Sequence, residues 1–311
     1  MKASVVVPTY RGAARLPRLI EALSRQDHDD WEAVIVIDGA VDDSAAIVQG
    51  YAGLPLRTVV FPDNRGRVAA LNAGFERASG QVLIRCDDDL EPDPSYLSRH
   101  VRQHASASGP IGVVGLVRNQ LAATAYARVY GNHADELHRA AAYRAGAQDR
   151  WRFWAGNCSI SRSTWEQVGP YDVRYRAYGW EDIDYGYRLH QHGVPIVLDP
   201  SLEISHHAAA TTTLSRARRA FLSGQARHLF DDIHGPGTSG PSDLRVTSAW
   251  TAVVSGLSRG LDYRRTEALS RRIDAAIEHL PTPVARKAVA AVVEAAAVAG
   301  YARGSGVTDD L

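Results

Sequence analysis

The chain has 311 residues, 45% of them apolar and 23% charged, and a formal net charge of zero. That length suits one large domain, or one domain with a helical extension, and the composition is that of a globular protein able to bury a core. Charge neutrality gives no global field for nucleic acid. Two cysteines, Cys86 and Cys158, are too few for a disulfide framework, and Cys158, in an apolar stretch, reads as a buried free thiol in a reducing compartment.

The first apolar run, Ser4 to Val7, is short, rich in β-branched residues and closed by Pro8. It reads as a buried strand, not as the core of a signal peptide. Leu16, Leu19, Ile20 and Leu23 have helical spacing. Ala33 to Ile37 predicts a second buried strand, ending at Asp38-Gly39. Ser44 to Tyr51 predicts a helix, Leu56 to Phe61 a third strand, and Val68 to Ala78 a helix closed by Gly80. Val82 to Ile84 predicts a fourth strand, running into Asp87-Asp88-Asp89. Strands alternating with helices imply a mostly parallel sheet flanked by helices, with ligands beyond the strand C-termini. Three polar signals fall at such termini: Pro8-Thr9-Tyr10, Asp38 and the aspartate run.

Between Ile111 and His207 the character changes, with Trp151, Trp154, Trp165 and Trp180, the pair Gly156-Asn157 and the cluster Glu181-Asp182-Ile183-Asp184. Ile183 to Leu189 predicts a helix with Glu181 and Asp182 at its N-terminus. Val194 to Leu198 and Glu203 to Ser205 predict short strands. From Leu214 onward the pattern is helical, interrupted by a loop from Gly235 to Pro241 and fraying from Gly304 to Leu311. No stretch of about 20 apolar residues exists. Ala288 to Ala299 comes nearest, but it contains Glu294 and reads as an alanine-rich packed helix.

Three adjacent carboxylates after a buried strand repel one another and invite a counter-ion. On extended backbone Asp87 and Asp89 share one face and Asp88 points away. A hard divalent cation takes such oxygens and leaves sites for phosphate. A calcium loop is excluded, because Pro92 and Ser98 stand where its glycine and glutamate belong. Glu181 and Asp182 suit a helix N-terminus, and either suits a general base beside an acceptor hydroxyl, with Trp180 as a platform for a sugar ring. His206 and His207 follow a strand and face opposite sides, so at most one completes a metal shell. The turn Asp63 to Arg67 before a helix is able to cradle an anion. Arg216, Arg218, Arg219 and Arg227 form either a solvated helix face or a site for phosphate on an acceptor or membrane surface.

In order and spacing these motifs resemble an inverting family 2 glycosyltransferase with the GT-A fold, over roughly residues 3 to 207. Val5 to Tyr10 is similar to its first strand and nucleotide loop, and Asn64, Gly66, Asn72 and Gly74 to its element beside the donor. Asp87-Asp88-Asp89 resembles its DXD motif. Gly156 to Arg162 and Val168 to Asp172 resemble the strand and turn below the donor sugar, and Gly179 to Asp182 its ED motif.

The resemblance implies a nucleotide-sugar half at 1–110, an acceptor and catalytic half at 111–207 and a helical region at 208–311. Pro8, Thr9, Tyr10 and Asp38 would hold uridine or a similar base, and Arg67 the pyrophosphate or nucleoside. Asp87 would approach the ribose or metal, with Asp88 beside it. Asp89 and His206 would hold Mn2+ or Mg2+. Asp182 would be the base and Glu181 would position the acceptor, with Trp180, Gly156 and Asn157 lining the sugar and acceptor site. One departure is that the usual acidic pair after the second strand is here Asp38-Gly39, with Asp42 and Asp43 later, which leaves the choice of base open.

The implied activity transfers sugar from a nucleotide diphosphate, UDP first, to a hydroxyl of a glycan, cell-envelope or small-molecule acceptor. The implied setting is cytoplasmic, with peripheral contact at the inner face of a membrane and a homodimer as further expectations. Two rivals stand beside it: a sugar-phosphate nucleotidyltransferase and a non-catalytic nucleotide-sugar binding protein. The first normally has a glycine-rich basic loop after its first strand, where this chain has Pro8-Thr9-Tyr10-Arg11-Gly12.

Overall fold

A computed structural model describes residues 1–176, 178–240 and 247–304. The expected fraying beyond Gly304 and the Pro241 end of the predicted loop lie outside those residues. The described chain forms two compact units. One comprises residues 1–120, 139–176 and 181–208, the other 121–138, 178–180 and 209–304. Residues 121–138, expected within the 111–207 half, thus belong to the second unit.

The first unit is a mixed α/β structure around a seven-stranded sheet. Its strands are β1 (Ala3–Thr9), β2 (Trp31–Asp38), β3 (Leu56–Phe61), β4 (Val82–Cys86), β6 (Gly112–Val114), β8 (Asn157–Ser161) and β9 (Ile196–Leu198), in the order β3-β2-β1-β4-β8-β6-β9. All neighbours are parallel except β8, which runs against β4 and β6. Val5, Val7, Ile35, Ile37 and Ile84 pack with Leu16, Leu19, Ile20 and Leu23 of α1 (Leu16–Ser24), as the helical spacing predicts. In chain order, helix α2 spans Ser44–Gln49, α3 Arg67–Arg77, α4 Tyr96–Ser106, α5 Asn132–Arg144 and α6 Arg162–Val168. Gly80 does not close α3, which ends at Arg77 with Ala78 as its extended cap residue. Gly80 instead lies against the start of β1, where an added Cβ would come within 2.7 Å of the Lys2 carbonyl.

A second sheet of three strands, β5 (Leu90–Glu91), β10 (Ile204–His206) and β7 (Val117–Asn119), pairs His206 with Leu90 on one side and Asn119 on the other. Helix α7 (Glu181–Gln191) begins at the predicted acidic pair. Both cysteines are buried and free.

The second unit is helical, with α8 (Thr213–His234), α9 (Ala249–Gly260), α10 (Tyr263–Ala276) and α11 (Thr282–Arg303) around an apolar core of Phe221, Val254, Val289, Val292 and Ala296. Helices α8 and α11 cross on glycines: a Cβ at Gly300 would sit 1.9 Å from the Phe221 carbonyl, and one at Gly224 2.1 Å from that of Ala297. The alanine-rich stretch is therefore a packed helix, and among the described residues no helix is long and apolar enough to cross a membrane. The arginine run on α8 is largely engaged within this unit. Arg218 pairs with Glu267, Arg219 lies over Tyr178, and Arg227 bonds Ser239 and the Gly240 carbonyl.

Candidate active site

The C-terminal ends of β1, β2 and β4 open onto a cavity of about 350 Å³ lined by Pro8, Thr9, Tyr10, Arg15, Asp38, Asn64, Gly66, Arg67, Ala70, Asp87, Asp88, Asp89 and Arg176. Parallel strands and short connections bring these residues together from across the first unit.

The aspartate run leaves β4 as a tight turn, with the Leu90 N–H donating to the Asp87 carbonyl at 3.1 Å. The alternation expected of extended backbone therefore fails, and all three carboxylates reach the cavity. Asp88 does not point away. It accepts from Thr9 Oγ1 at 2.5 Å and takes a two-pronged contact from Arg15, at 3.0 and 2.8 Å. Burial raises its pKa, and the Arg15 and Thr9 hydrogen bonds oppose that rise.

Asp87 turns the other way, onto Arg85, whose Nε and Nη2 lie 2.8 and 3.1 Å from its two oxygens. Burial works against the Asp87 charge, but Arg85 and Arg67 outweigh it and hold its pKa below the usual value. Arg85 also contacts Asp182 through Nη1.

Asp89 faces the small sheet. His206 Nε2 lies 3.3 Å from Asp89 Oδ2, and His206 Nδ1 lies 2.6 Å from Asn119 Oδ1. A proton on Nδ1 donated to the Asn119 amide oxygen leaves the Nε2 lone pair aimed at a carboxylate. One nitrogen and one oxygen acceptor then converge, a pair that fits a divalent cation, with Asn119 fixing the ring from behind. His207 points elsewhere, to Glu91 at 2.7 Å, as adjacent residues on a strand must. Among the described residues no group of three or more His, Cys, Asp or Glu side chains converges as a ready-made metal cage.

Asp38 accepts backbone N–H groups from Arg65 at 2.6 Å and Gly66 at 2.9 Å, so it fixes the turn that starts α3. Gly66 has φ +90°, which glycine adopts without strain. Arg67, the first residue of α3, reaches Glu181 Oε1 at 3.5 Å. Glu181 is buried, and its Oε2 has no hydrogen-bond partner among the described residues. Asp182 is mostly buried, and burial, with the charges of Glu181 and Asp87 adding, raises its pKa well above the usual carboxylate range while Arg85 and Arg67 oppose the rise.

Several expected residues stand outside the cavity lining. Asn72 bonds the backbone of Tyr171 at 2.9 and 2.8 Å, and Gly74 packs on Val6. Asn157 is fully buried, with its amide bonded to the Leu202 carbonyl at 2.9 Å and to Tyr96 Oη at 3.1 Å, so its side chain is not part of the cavity lining. Gly156 abuts Asp87: its carbonyl accepts the Asp87 N–H, and a Cβ there would collide with the carboxylate. Trp180 belongs to the second unit, where its indole N–H donates to Ser223 and its ring packs on Phe230. Its φ of +67° is strained for a tryptophan.

Sequence reasoning missed four residues. Arg85 had a usable signal, a lone charge inside the apolar run of β4. Arg15, Asn119 and Arg176 had none.

A mostly parallel, Rossmann-like sheet with a carboxylate-rich cleft at its strand ends, joined to a helical C-terminal region, is the GT-A architecture of a glycosyltransferase. Residues 4–164, just over half the chain, match the model of glycosyl transferase family 2, and the chain belongs to that family. Residues 135–209 also match a model described as the N-terminal domain of galactosyltransferase.

One relative, the undecaprenyl-phosphate 4-deoxy-4-formamido-L-arabinose transferase of Pseudomonas fluorescens, is 34% identical over 58% of this chain and 48% of its own length. The chain spans about half the length of the curated relatives it matches. The fold is similar to that of a Pyrobaculum calidifontis mannosyltransferase solved with GDP-Man and Mn2+ (TM-score 0.64, 16% identity, 94% of this chain and 85% of that one). It is also similar to S. aureus TarS 1-349 in complex with UDP-GlcNAc (TM-score 0.52, 15% identity, 100% of this chain and 95% of that one).

Proposed function

We propose that this glycosyltransferase moves a sugar, with inversion, from a nucleotide diphosphate donor to an acceptor hydroxyl, using Asp182 as the base. The observation that carries the reading is the placement of two differently tuned carboxylates on one guanidinium. Asp87 is held ionised at the cavity wall, and Asp182 is held with a raised pKa at the start of α7. A raised pKa suits a group that must take a proton near neutral pH.

In the step itself, the acceptor oxygen attacks the anomeric carbon as its proton passes to Asp182. The bond from that carbon to the diphosphate oxygen breaks, and the electron pair leaves with the diphosphate. One displacement inverts the centre. Arg67 and Arg15, at the cavity wall, face the diphosphate, and the Asp38-fixed turn borders the nucleoside. Asp89 and His206 would hold Mn2+ or Mg2+, which when bound neutralises the charge of the leaving diphosphate. Glu181, at the start of α7 beside Asp182 and in contact with Arg67, would position the acceptor.

UDP is the donor nucleotide proposed first. A TarS complex with UDP-GlcNAc and a mannosyltransferase complex with GDP-Man both share this fold, so the assay includes both bases. The acceptor proposed is a hydroxyl, not a phosphate, because a phosphate is already ionised near neutral pH and has no need of a base such as Asp182.

The test is incubation of the chain with a panel of UDP- and GDP-sugars, Mn2+ and hydroxyl acceptors. Release of nucleoside diphosphate, lost in EDTA and restored by Mn2+ or Mg2+, supports the reading. Release of pyrophosphate would point to a nucleotidyltransferase instead. No turnover, even by slow donor hydrolysis, would leave a binding protein.

A further inference from the structure

Arg85 stands in the middle of an apolar strand, between Ile84 and Cys86, paired with Val6 of β1 on one side and Cys158 of β8 on the other. Its side chain is wholly buried. Burying a guanidinium is costly, and a well-packed apolar side chain is often the more stable choice at such a place.

What the arginine does there is specific. One edge of its planar fork takes both oxygens of Asp87, and the remaining nitrogen takes Asp182 Oδ1. The ring of Tyr171 lies 6.0 Å from the guanidinium carbon. Asp182 Oδ2 makes no hydrogen bond among the described residues, and the side chain keeps some exposure to solvent, so this oxygen is left for a proton donor. A lysine ammonium is a single point charge and does not reproduce this two-sided fork.

We infer that Arg85 is a positioning residue that fixes the Asp182 carboxylate against Asp87, so that one oxygen is anchored and the other is aimed at the acceptor hydroxyl. This rests on Asp182 being the base. Asp182 lies in the first turn of α7, two residues after Trp180 with its strained φ of +67°, and Arg85 is the only described side chain that hydrogen-bonds its carboxylate. A base displaced by about 1 Å loses on the order of 10²-fold in rate.

The experiment compares wild type with Arg85→Lys, Arg85→Gln, Asp182→Asn and the double variant Arg85→Lys/Asp182→Asn. Melting curves establish folding, and kcat and donor KM are measured for each. The expected result is a folded Arg85→Lys enzyme whose kcat falls roughly 10²-fold while donor KM changes less than about threefold. Arg85→Gln falls further, and the double variant is no slower than Asp182→Asn alone, because the two residues act as one unit.

Wild-type kcat in Arg85→Lys, or losses that multiply in the double variant, would overturn the inference. So would failure of both single arginine variants to fold, which would make the role structural. Full activity in Asp182→Asn is the separate outcome that removes the base assignment itself.

Discussion

Gly156→Ala is a small change with a large expected effect. The backbone of Gly156 is not in the left-handed region, so an alanine is tolerated conformationally. The new methyl, however, would lie 2.6 Å from Asp87 Oδ2 and 2.7 Å from its Cγ, where ordinary contact begins at 3.4 Å. The carboxylate must then retreat by roughly 0.8 Å, to bring Oδ2 from 2.6 Å out to 3.4 Å. It is not free to do so without loss. The Asp87 N–H is bonded to the Gly156 carbonyl, and both carboxylate oxygens lie on the Arg85 fork. A displacement near 1 Å at a reacting site costs on the order of 10²-fold in rate, about 2.7 kcal/mol of barrier.

Stability should change little, because alanine also lowers the entropy of the unfolded chain by about 0.4–1 kcal/mol. Initial-rate kinetics and thermal melts read the two effects separately. Gly53→Ala is the control, since nothing lies within 4 Å of its new methyl. A Gly156→Ala enzyme with kcat/KM within about threefold of wild type and an unshifted melt would refute the reasoning, because Asp87 would then not need its observed place.

Asp182→Asn should lower kcat by roughly 10²- to 10⁴-fold while donor binding, followed by thermal shift with UDP and Mn2+, stays close to wild type. In the wild type the raised pKa of Asp182 places the acid limb of kcat/KM, which reports the free enzyme, above the ordinary carboxylate range. Activity then rises with pH through that limb as the base loses its proton, and a limb near pH 4 would contradict the environment described. Asn119→Ala should weaken Mn2+ activation about 10- to 100-fold without changing the rate at saturating metal. An unchanged activation curve would show that the His206 ring needs no support from behind.

Glu32 bears on stability alone. Burial raises its pKa, but hydrogen bonds from Ser4, Ser79 and Lys2 outweigh this and lower it to about 2. Its contribution, about 3 kcal/mol at most, is present above pH 4.5 and lost as pH falls toward 2. Urea melts of Glu32→Gln and wild type should therefore differ at pH 7 and converge in acid, and a gap independent of pH would disprove the linkage.

The alternation of strands and helices was legible because both faces of β1 and β2 are buried and the apolar face of α1 is unbroken. Those elements keep their predicted places to within one or two residues. Side-chain direction at Asp87 to Asp89 was not legible. It depends on a turn, and the turn depends on pairing of Leu90 with His206, more than a hundred residues later. Asn119 was hidden for the same reason, since its role exists only through the register of β7 against β10. Asn157 was not legible because its partners, Tyr96 and Leu202, lie 61 residues before it and 45 residues after it, and β8 is buried on both faces. Arg85 was legible in principle, because a charge inside an apolar strand needs a buried partner.

The charges around the cleft support the proposed donor in a way that no single residue does. Arg15, Arg67, Arg85 and Arg176 face Asp38, Asp87, Asp88, Asp89, Glu181 and Asp182, four cations against six carboxylates. With all of them ionised the formal balance is minus two, and the raised pKa of Asp182 relieves part of it. A diphosphate brings further negative charge into the same space, so the donor alone meets repulsion at close range. Arg15 does little to relieve this while it is held by Asp88, nor does Arg85 while it bridges Asp87 and Asp182. The cations with most freedom to turn toward phosphate are Arg67, about half exposed, and the exposed Arg176. The remaining imbalance falls at Asp89, whose Oδ2 lies 3.3 Å from His206 Nε2. Donor affinity should therefore depend on divalent cation far more steeply than on ionic strength. Binding by calorimetry that is equally tight in EDTA and in Mn2+ would show that the arginines suffice.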